Sequence, residues 1–292
     1  MSAGARHRGR LWAALAITAT FLVVQAVTAV LTGSLALLSD TGHMATDVLG
    51  LGMALAAVEV SRRVGASGSR TFGVYRLEVL AATANSLLLF GVGGYALVEG
   101  IRRLGDPVEV PAVPLLVVAV LGLGANVVAF LLLRDGAKES LAVEGAYLEV
   151  LADLLGSVAV IVAAVVLLLT GWAWVDPVVG AAIGLVILPR AWRLGRKSVS
   201  VLLQSAPSGM DPERVHGDLA AIPDVVDVHD LHLWTLTSGL NVASAHVMVR
   251  SGTDPHRVLD IARDLLADTY GLDHATLQVE PEDHAGCADV TW

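Results

Sequence analysis

Long apolar segments dominate the first 200 residues of the chain. A helix that crosses a bilayer needs about 20 mainly apolar residues, and the hydropathy pattern reaches this length six times. The six segments are Leu11–Leu31, Leu35–Val60, Val79–Ile101, Val113–Leu133, Leu141–Leu169 and Trp174–Leu194. Short polar or glycine-containing stretches separate them. The pattern therefore predicts an α-helical membrane protein with six transmembrane helices.

The pattern changes after residue 200, where shorter segments follow one another. Three of them alternate apolar and polar positions as strands do: Val225–Thr235, Asn241–Val249 and Ala275–Glu280. Two helices are expected around these strands, at Asp211–Ala221 and from Asp254 to about Tyr270, where Asp254 is a suitable N-cap. The order αββαβ predicts a small α+β, ferredoxin-like domain. The predicted organisation is a basic tail at 1–10, a transport domain at 11–200 and an acidic domain at 201–292.

Composition supports this division of the chain. Charged residues make up 16% of the chain, against about 25% in soluble domains, which argues against an ordinary cytosolic enzyme, a disordered chain or a nucleic-acid binder. The net charge of −9 is uneven, because residues 201–292 hold 15 of the 28 acidic residues and four of the 19 Lys and Arg. Seven of the nine histidines also lie there. The single cysteine, Cys287, excludes an internal disulfide.

Lysine and arginine near the ends of the segments predict the orientation, because these residues accumulate on the cytoplasmic side. One side of the predicted bundle carries 13 of them and the other carries two, Arg102 and Arg103. The 13 are Arg6, Arg8, Arg10, Arg62, Arg63, Arg70, Arg76, Arg134, Lys138, Arg190, Arg193, Arg196 and Lys197. We therefore expect both termini, and with them the acidic domain, to be cytoplasmic.

Ionisable residues inside apolar segments are costly and mark functional paths. The second segment contains His43 and Asp47, and the fifth contains Glu149 and Asp153. Each pair is four residues apart and lies on one helix face, so two helices could build a four-ligand site for a divalent cation. The alternative is two hydrogen-bonded pairs that only pack helices. Repulsion among buried carboxylates without a cation disfavours it. Asp40 is either an additional group behind this site or a group at the membrane interface.

The acidic domain contains a second group of metal-ligand residues. His229 and His232 lie on the first predicted strand, where regular alternation puts them on opposite faces. His246 lies on the second strand and Glu280 ends the third. We predict a metal site from His229, His246 and Glu280, with surface histidines as the alternative.

The remaining candidate residues carry weaker signals. His216, His256 and His274 are expected at the surface, and His284 and Cys287 are left open between a ligand role and none. No H-E-x-x-H, P-loop or G-x-S-x-G motif occurs, so the sequence gives no case for an enzyme.

Four stretches resemble the cation diffusion facilitators, in the order in which that family has them. They are LSDTGHMATD at 38–47, TFGVYRLEVL at 71–80, YLEVLADLLGS at 147–157 and VHDLHLW at 228–234. The similarity runs over nearly the whole chain and is strongest to the bacterial zinc, cadmium and cobalt exporters. It implies a homodimer, six helices per subunit, a ferredoxin-like cytoplasmic domain and proton-coupled export by alternating access.

The resemblance also implies roles for individual residues. His43, Asp47, Glu149 and Asp153 fall on the family's transport site, and His229, His246 and Glu280 fall on cytoplasmic-domain ligands. Three features depart from the family pattern. Glu149 stands where the zinc branch usually has histidine. Val74 stands where many members have histidine in the loop before the third helix. Gln204 stands where the family usually has the acidic partner of the basic residue at position 76.

Together these observations predict a proton-coupled antiporter that exports divalent cations, most readily zinc, also cadmium or cobalt, across the cytoplasmic membrane. Its expected partners are metal ions, protons, the lipid bilayer and a second copy of the chain, without nucleic acid and without a cofactor other than bound metal. Two alternatives remain at this stage. An oxygen-richer site with Glu149 would suit manganese or iron export, and a membrane-anchored metal sensor or scaffold would need no transport.

Overall fold

The protein is described by a computed structural model over residues 3–63, 71–72, 74, 76–106, 108–134, 141–237 and 240–283. Within these ranges, the side chains of 3–11, 14, 50–51, 53–63, 78, 141–149 and 152 lie outside the description. The chain separates into two compact units. The first comprises Met1–Gly65 and Ala81–Arg196, and the second Ala66–Leu80 and Lys197–Trp292.

Six long helices make up most of the chain before residue 203. They are α1 (Ala3–Thr32), α2 (Leu35–Arg63), α3 (Arg76–Arg103), α4 (Ala112–Arg134), α5 (Leu141–Thr170) and α6 (Val175–Leu202). Among the described residues, all except α2 contain a window long and apolar enough to cross a membrane. Helix α2 has 29 residues and carries the ionisable group Asp40, His43 and Asp47. The predicted fold class is confirmed in this part.

Small and medium apolar side chains fill the interior of the helical unit. Buried residues of α1, α2, α4 and α5, such as Phe21, Leu37, Leu115 and Val160, form one cluster. The outward positions are apolar as well, and Leu31 is 80% exposed. A soluble protein seldom exposes such continuous apolar surface, so these outer faces fit contact with lipid.

Helices α3 and α6 approach each other closely because glycines line their contact. A Cβ on Gly184 would lie 2.8 Å from the carbonyl oxygen of Gly93, and one on Gly100 would lie 2.9 Å from the carbonyl oxygen of Pro177. Small residues allow such close backbone approach between membrane helices. The two helices therefore have no room for a side chain at these crossings.

The first turn of α2 is bonded to a carboxylate of α6. Asp176 accepts hydrogen bonds from the hydroxyl of Ser34 and from the backbone N–H groups of Leu35, at 2.8 Å, and Ala36, at 3.4 Å. A helix N-terminus has unsatisfied N–H groups and a partial positive charge, so a buried carboxylate stabilises it. Asp176, only 1% exposed, therefore joins α6 to the start of α2.

The second unit ends in the αββαβ domain. Its elements are α7 (Pro212–Ala220), β1 (Val225–Thr237), β2 (Leu240–Val249), α8 (Pro255–Tyr270) and β3 (His274–Pro281). The sheet has the order β1-β2-β3, with β1 antiparallel and β3 parallel to β2. Val215, Leu219, Val258 and Leu266 of the two helices pack on one face of the sheet. The predicted N-cap Asp254 accepts a hydrogen bond from the N–H of His256.

A β-bulge in β1 corrects one expectation. His229 pairs with His246, whereas His232 pairs with Ser244, so three steps along β1 match two along β2. Asp230, with φ of 49°, lies in the irregular stretch. An extra residue in one strand restores the facing of the positions beyond it. His229 and His232 therefore share a face, and the prediction of opposite faces is wrong.

Candidate metal centres

Three predicted transport-site residues meet inside the helical unit. His43 and Asp47 are one turn apart on α2, and Asp153 comes from α5. His43 Nδ1 lies 3.4 Å from Asp47 Oδ2, and His43 Nε2 lies 3.8 Å from Asp153 Oδ1. One ligand atom from each residue can be chosen so that all lie within 4.8 Å of one another. Two helices thus bring an imidazole and two carboxylates together.

Two ligand atoms of this cluster have no hydrogen-bond partner in the described part of the chain. His43 Nδ1 and Asp47 Oδ2 are buried and have no hydrogen-bond partner among the described residues. Buried polar atoms are nearly always hydrogen-bonded, and these two lie 3.4 Å apart without forming a hydrogen bond. Both are atoms that coordinate zinc in proteins. The donor set therefore fits a divalent metal.

The fourth predicted member, Glu149, lies one turn before Asp153 on α5. Its side chain falls outside the described residues. The spacing of four residues puts it on the same helix face as Asp153, and its participation in the site stays a prediction.

Asp40 lies one turn before His43 and is 8% exposed. Its Oδ2 accepts a hydrogen bond of 2.7 Å from Gln25 Nε2 of α1. Its Oδ1 lies 2.8 Å from where a Cβ on Gly156 of α5 would be. Asp40 is therefore buried where α1 and α5 meet α2.

Arg190 also contacts this cluster, and this contact was not predicted from the sequence. Its Nη1 lies 3.0 Å from His43 Nε2. In the sequence Arg190 is one of the cations that flank the last apolar segment, but its side chain contacts the ligand cluster. A basic residue within α6, directly after Pro189, was the available signal, because a charge inside an apolar helix needs a partner.

The acidic domain brings its own three residues together. The rings of the cross-strand pair His229 and His246 have centroids 5.1 Å apart, and His246 Nδ1 lies 3.2 Å from Glu280 Oε1. His229 Nδ1 also lies 3.3 Å from Asp227 Oδ2. Ligand atoms of the two histidines and Glu280 lie within 4.8 Å of one another. Two imidazoles and a carboxylate suit zinc, so these residues fit a bound metal.

The other histidines of this domain are separate from that group. His232 and His256 are exposed. His216 Nε2 donates a hydrogen bond of 2.8 Å to the carbonyl oxygen of Val228, and this bond connects α7 with β1. The ring of His274 contacts that of Phe72 edge-on. His284 and Cys287 lie outside the described residues.

Comparison with known proteins gives matches over nearly the whole chain. The model of the cation efflux transmembrane domain matches residues 11–203, and that of the cation efflux protein cytoplasmic domain matches 207–282. The chain is 46% identical over 268 residues to the metal cation efflux system protein CzcD of Cupriavidus metallidurans, covering 91% of this chain and 84% of that protein.

Two further relatives cover similar lengths. The zinc transporter ZitB of Pectobacterium atrosepticum is 40% identical over 273 residues, which is 93% of this chain and 85% of the relative. The cadmium, cobalt and zinc/H⁺-K⁺ antiporter of Bacillus velezensis is 33% identical over 287 residues, which is 97% of this chain and 91% of the relative.

Proposed function

Because the chain belongs to the cation efflux family, which is the cation diffusion facilitator family expected from its motifs, we propose that it exports divalent metal ions, zinc above all, in exchange for protons. The observation that carries the proposal is the cluster of His43, Asp47 and Asp153 within the helical unit. Ionisable side chains in a membrane helix bundle carry a desolvation cost, and they usually mark a functional site. Binding a cation that crosses the membrane is such a function.

The chemistry of these ligands accounts for coupling to protons. A metal ion needs an imidazole lone pair and ionised carboxylates, and a proton on any of them removes a ligand. Metal and protons therefore compete for the same atoms. A site that opens to the cytoplasm takes up metal and loses protons, and the same site open to the other side does the reverse.

Zinc is favoured over the manganese or iron alternative. The relatives carry names that refer to zinc, cadmium and cobalt. His43 supplies a nitrogen ligand, and affinity for nitrogen and oxygen ligands rises from manganese towards zinc. The family consists of transporters, which disfavours a sensor or scaffold without transport.

The direct test is flux in liposomes that contain the purified protein and a pH-sensitive dye. Imposing a zinc gradient should move protons in the opposite direction, and cobalt and cadmium should do so as well. Protein-free liposomes are the control. Zinc gradients that produce no more proton movement than in protein-free liposomes would contradict the proposal.

We propose that both termini face the cytoplasm, from the excess of Lys and Arg on one side of the helices. A cysteine introduced at position 2 should escape an impermeant thiol reagent added to whole cells, whereas one at Gly171, between α5 and α6, should react. Replacing Cys287 first removes the native thiol. The reverse labelling pattern would contradict both the orientation and the direction of export.

The acidic domain is proposed to dimerise and to bind zinc through His229, His246 and Glu280. Zinc should raise the melting temperature of a soluble 205–292 fragment, because a ligand that prefers the folded state stabilises it by mass action. At a hundred times the dissociation constant the gain is about 2.7 kcal/mol. Scanning calorimetry measures it, with His256→Ala as an exposed control and His246→Ala as the variant that loses the response. An unchanged melting curve at saturating zinc would argue against this site.

A further inference from the structure

Arg190 and His43 make a hydrogen bond that fixes the state of the imidazole. A guanidinium can only donate, so His43 Nε2, 3.0 Å from Arg190 Nη1, must accept with its lone pair. The ring is then neutral and carries its hydrogen on Nδ1, which faces Asp47 Oδ2 at 3.4 Å. The single lone pair of the neutral ring is used by Arg190.

A metal ion needs that same lone pair, whichever nitrogen it binds. If it binds Nε2, it takes the position of the Arg190 donor. If it binds Nδ1, the hydrogen moves to Nε2, which then cannot accept from a guanidinium. Either way, metal coordination by His43 breaks its hydrogen bond to Arg190.

We propose that Arg190 is a tethered cation of the transport site, which occupies His43 when the metal is absent and is displaced when the metal binds. This inference rests on the proposed function. Arg190 contacts the metal-binding side chain of His43 directly, and so it sets the affinity and specificity of the site for metal ions. It supplies positive charge beside Asp47 and Asp153 in the empty site, and it opposes metal binding because two cations cannot share one lone pair.

The charge balance of the cluster explains why a guanidinium beside the site is useful. An empty site with two buried carboxylates would carry uncompensated negative charge in an apolar bundle, which is unfavourable. A divalent ion held there without opposition would also leave slowly. A competing guanidinium on a neighbouring helix addresses both problems, because it stabilises the empty state without leaving the protein.

The test compares three variants of the full-length protein. Arg190→Gln removes the charge but keeps an amide donor, Arg190→Lys keeps the charge, and Arg193→Gln is the matched control on the same helix, where Arg193 Nε donates to the carbonyl oxygen of Pro189. Zinc binding is measured calorimetrically in a His246→Ala background, which weakens the cytoplasmic site, and transport is measured in liposomes with His246 intact.

Arg190→Gln should lower the zinc dissociation constant and the transport KM by at least about tenfold, since a nearby positive charge is lost. Its maximal rate should fall, since displacement of the ion is weakened. Arg190→Lys should stay within about threefold of the unmodified protein, and Arg193→Gln should not differ from it. Unchanged or weaker zinc binding in Arg190→Gln would overturn this proposal. If the unmodified protein itself shows no transport, the proposed transport function is overturned instead.

A second measurement needs no substitution at Arg190. Phenylglyoxal modifies arginine side chains, and mass spectrometry reports each site separately. Titrating zinc into the unmodified protein should increase labelling of Arg190, because the metal releases it from His43, and leave Arg193 constant. Labelling of Arg190 that stays constant or falls during the titration would overturn the displacement.

Discussion

Replacing Asp153 with asparagine should abolish metal transport while the protein still inserts and assembles. Asparagine keeps the volume and most of the polarity of Asp153, so the helix packing around this 6% exposed side chain is retained. The change removes one of the carboxylates that face His43. The ion loses the attraction of one negative charge, and a neutral amide is a weaker ligand than a carboxylate, so zinc affinity should fall by at least about a hundredfold, or about 2.7 kcal/mol.

The measurement is zinc-driven proton flux in liposomes at matched protein density. Asp106→Asn, a substitution of an exposed carboxylate after α3, is the control and should transport as the unmodified protein does. Gel filtration in detergent establishes that both variants are assembled. Zinc-driven flux in Asp153→Asn above one tenth of the unmodified level would mean that Asp153 does not bind the ion.

The second large effect is expected at Gly184, where α6 touches α3. Gly184→Ala adds a Cβ 2.8 Å from the carbonyl oxygen of Gly93 and 2.9 Å from Ala96 Cβ. Because the first contact is with backbone, the helices must separate. Overpacking of this kind costs about 1–3 kcal/mol, and it acts on the helix that carries Asp176 and Arg190. We expect a lower melting temperature in detergent and reduced transport.

Gly94→Ala is the matched control on α3, because its added Cβ meets no described heavy atom within 4 Å. Alanine is the better helix former by about 1 kcal/mol, so this control should be neutral or more stable. The two substitutions are chemically identical, but only Gly184→Ala should lower the melting temperature. Equal melting temperatures for the two variants would contradict the close packing of α3 and α6.

The sequence indicates those features that follow from periodicity. Apolar length predicts the six helices, and spacings of four residues put His43 with Asp47 and Glu149 with Asp153 on common faces. Alternation and turn residues predict the αββαβ order. These features depend on neighbours within one or two turns, so a single segment contains the information.

The features that the sequence did not predict depend on distant or irregular contacts. The bulge near Asp230 adds one residue to β1, but the apolar pattern of the strand does not reveal it. The prediction that His232 lies on the opposite face from His229 is therefore wrong. Arg190 is 147 positions from His43, and Asp176 is 142 from Ser34. Nothing in local spacing specifies such partners, although a charged residue inside an apolar helix signals that a partner exists.

The proposed metal site is divided between α2 and α5, and this has a mechanical consequence. A helix rises 1.5 Å per residue, and zinc bonds to nitrogen and oxygen are about 2.0–2.2 Å long. Sliding α2 along α5 by the rise of one residue therefore displaces His43 relative to Asp153 by most of a bond length. Packed helices slide past one another by such distances. A shear of this size is enough to break the bonds to the ion, and the helices need not separate widely.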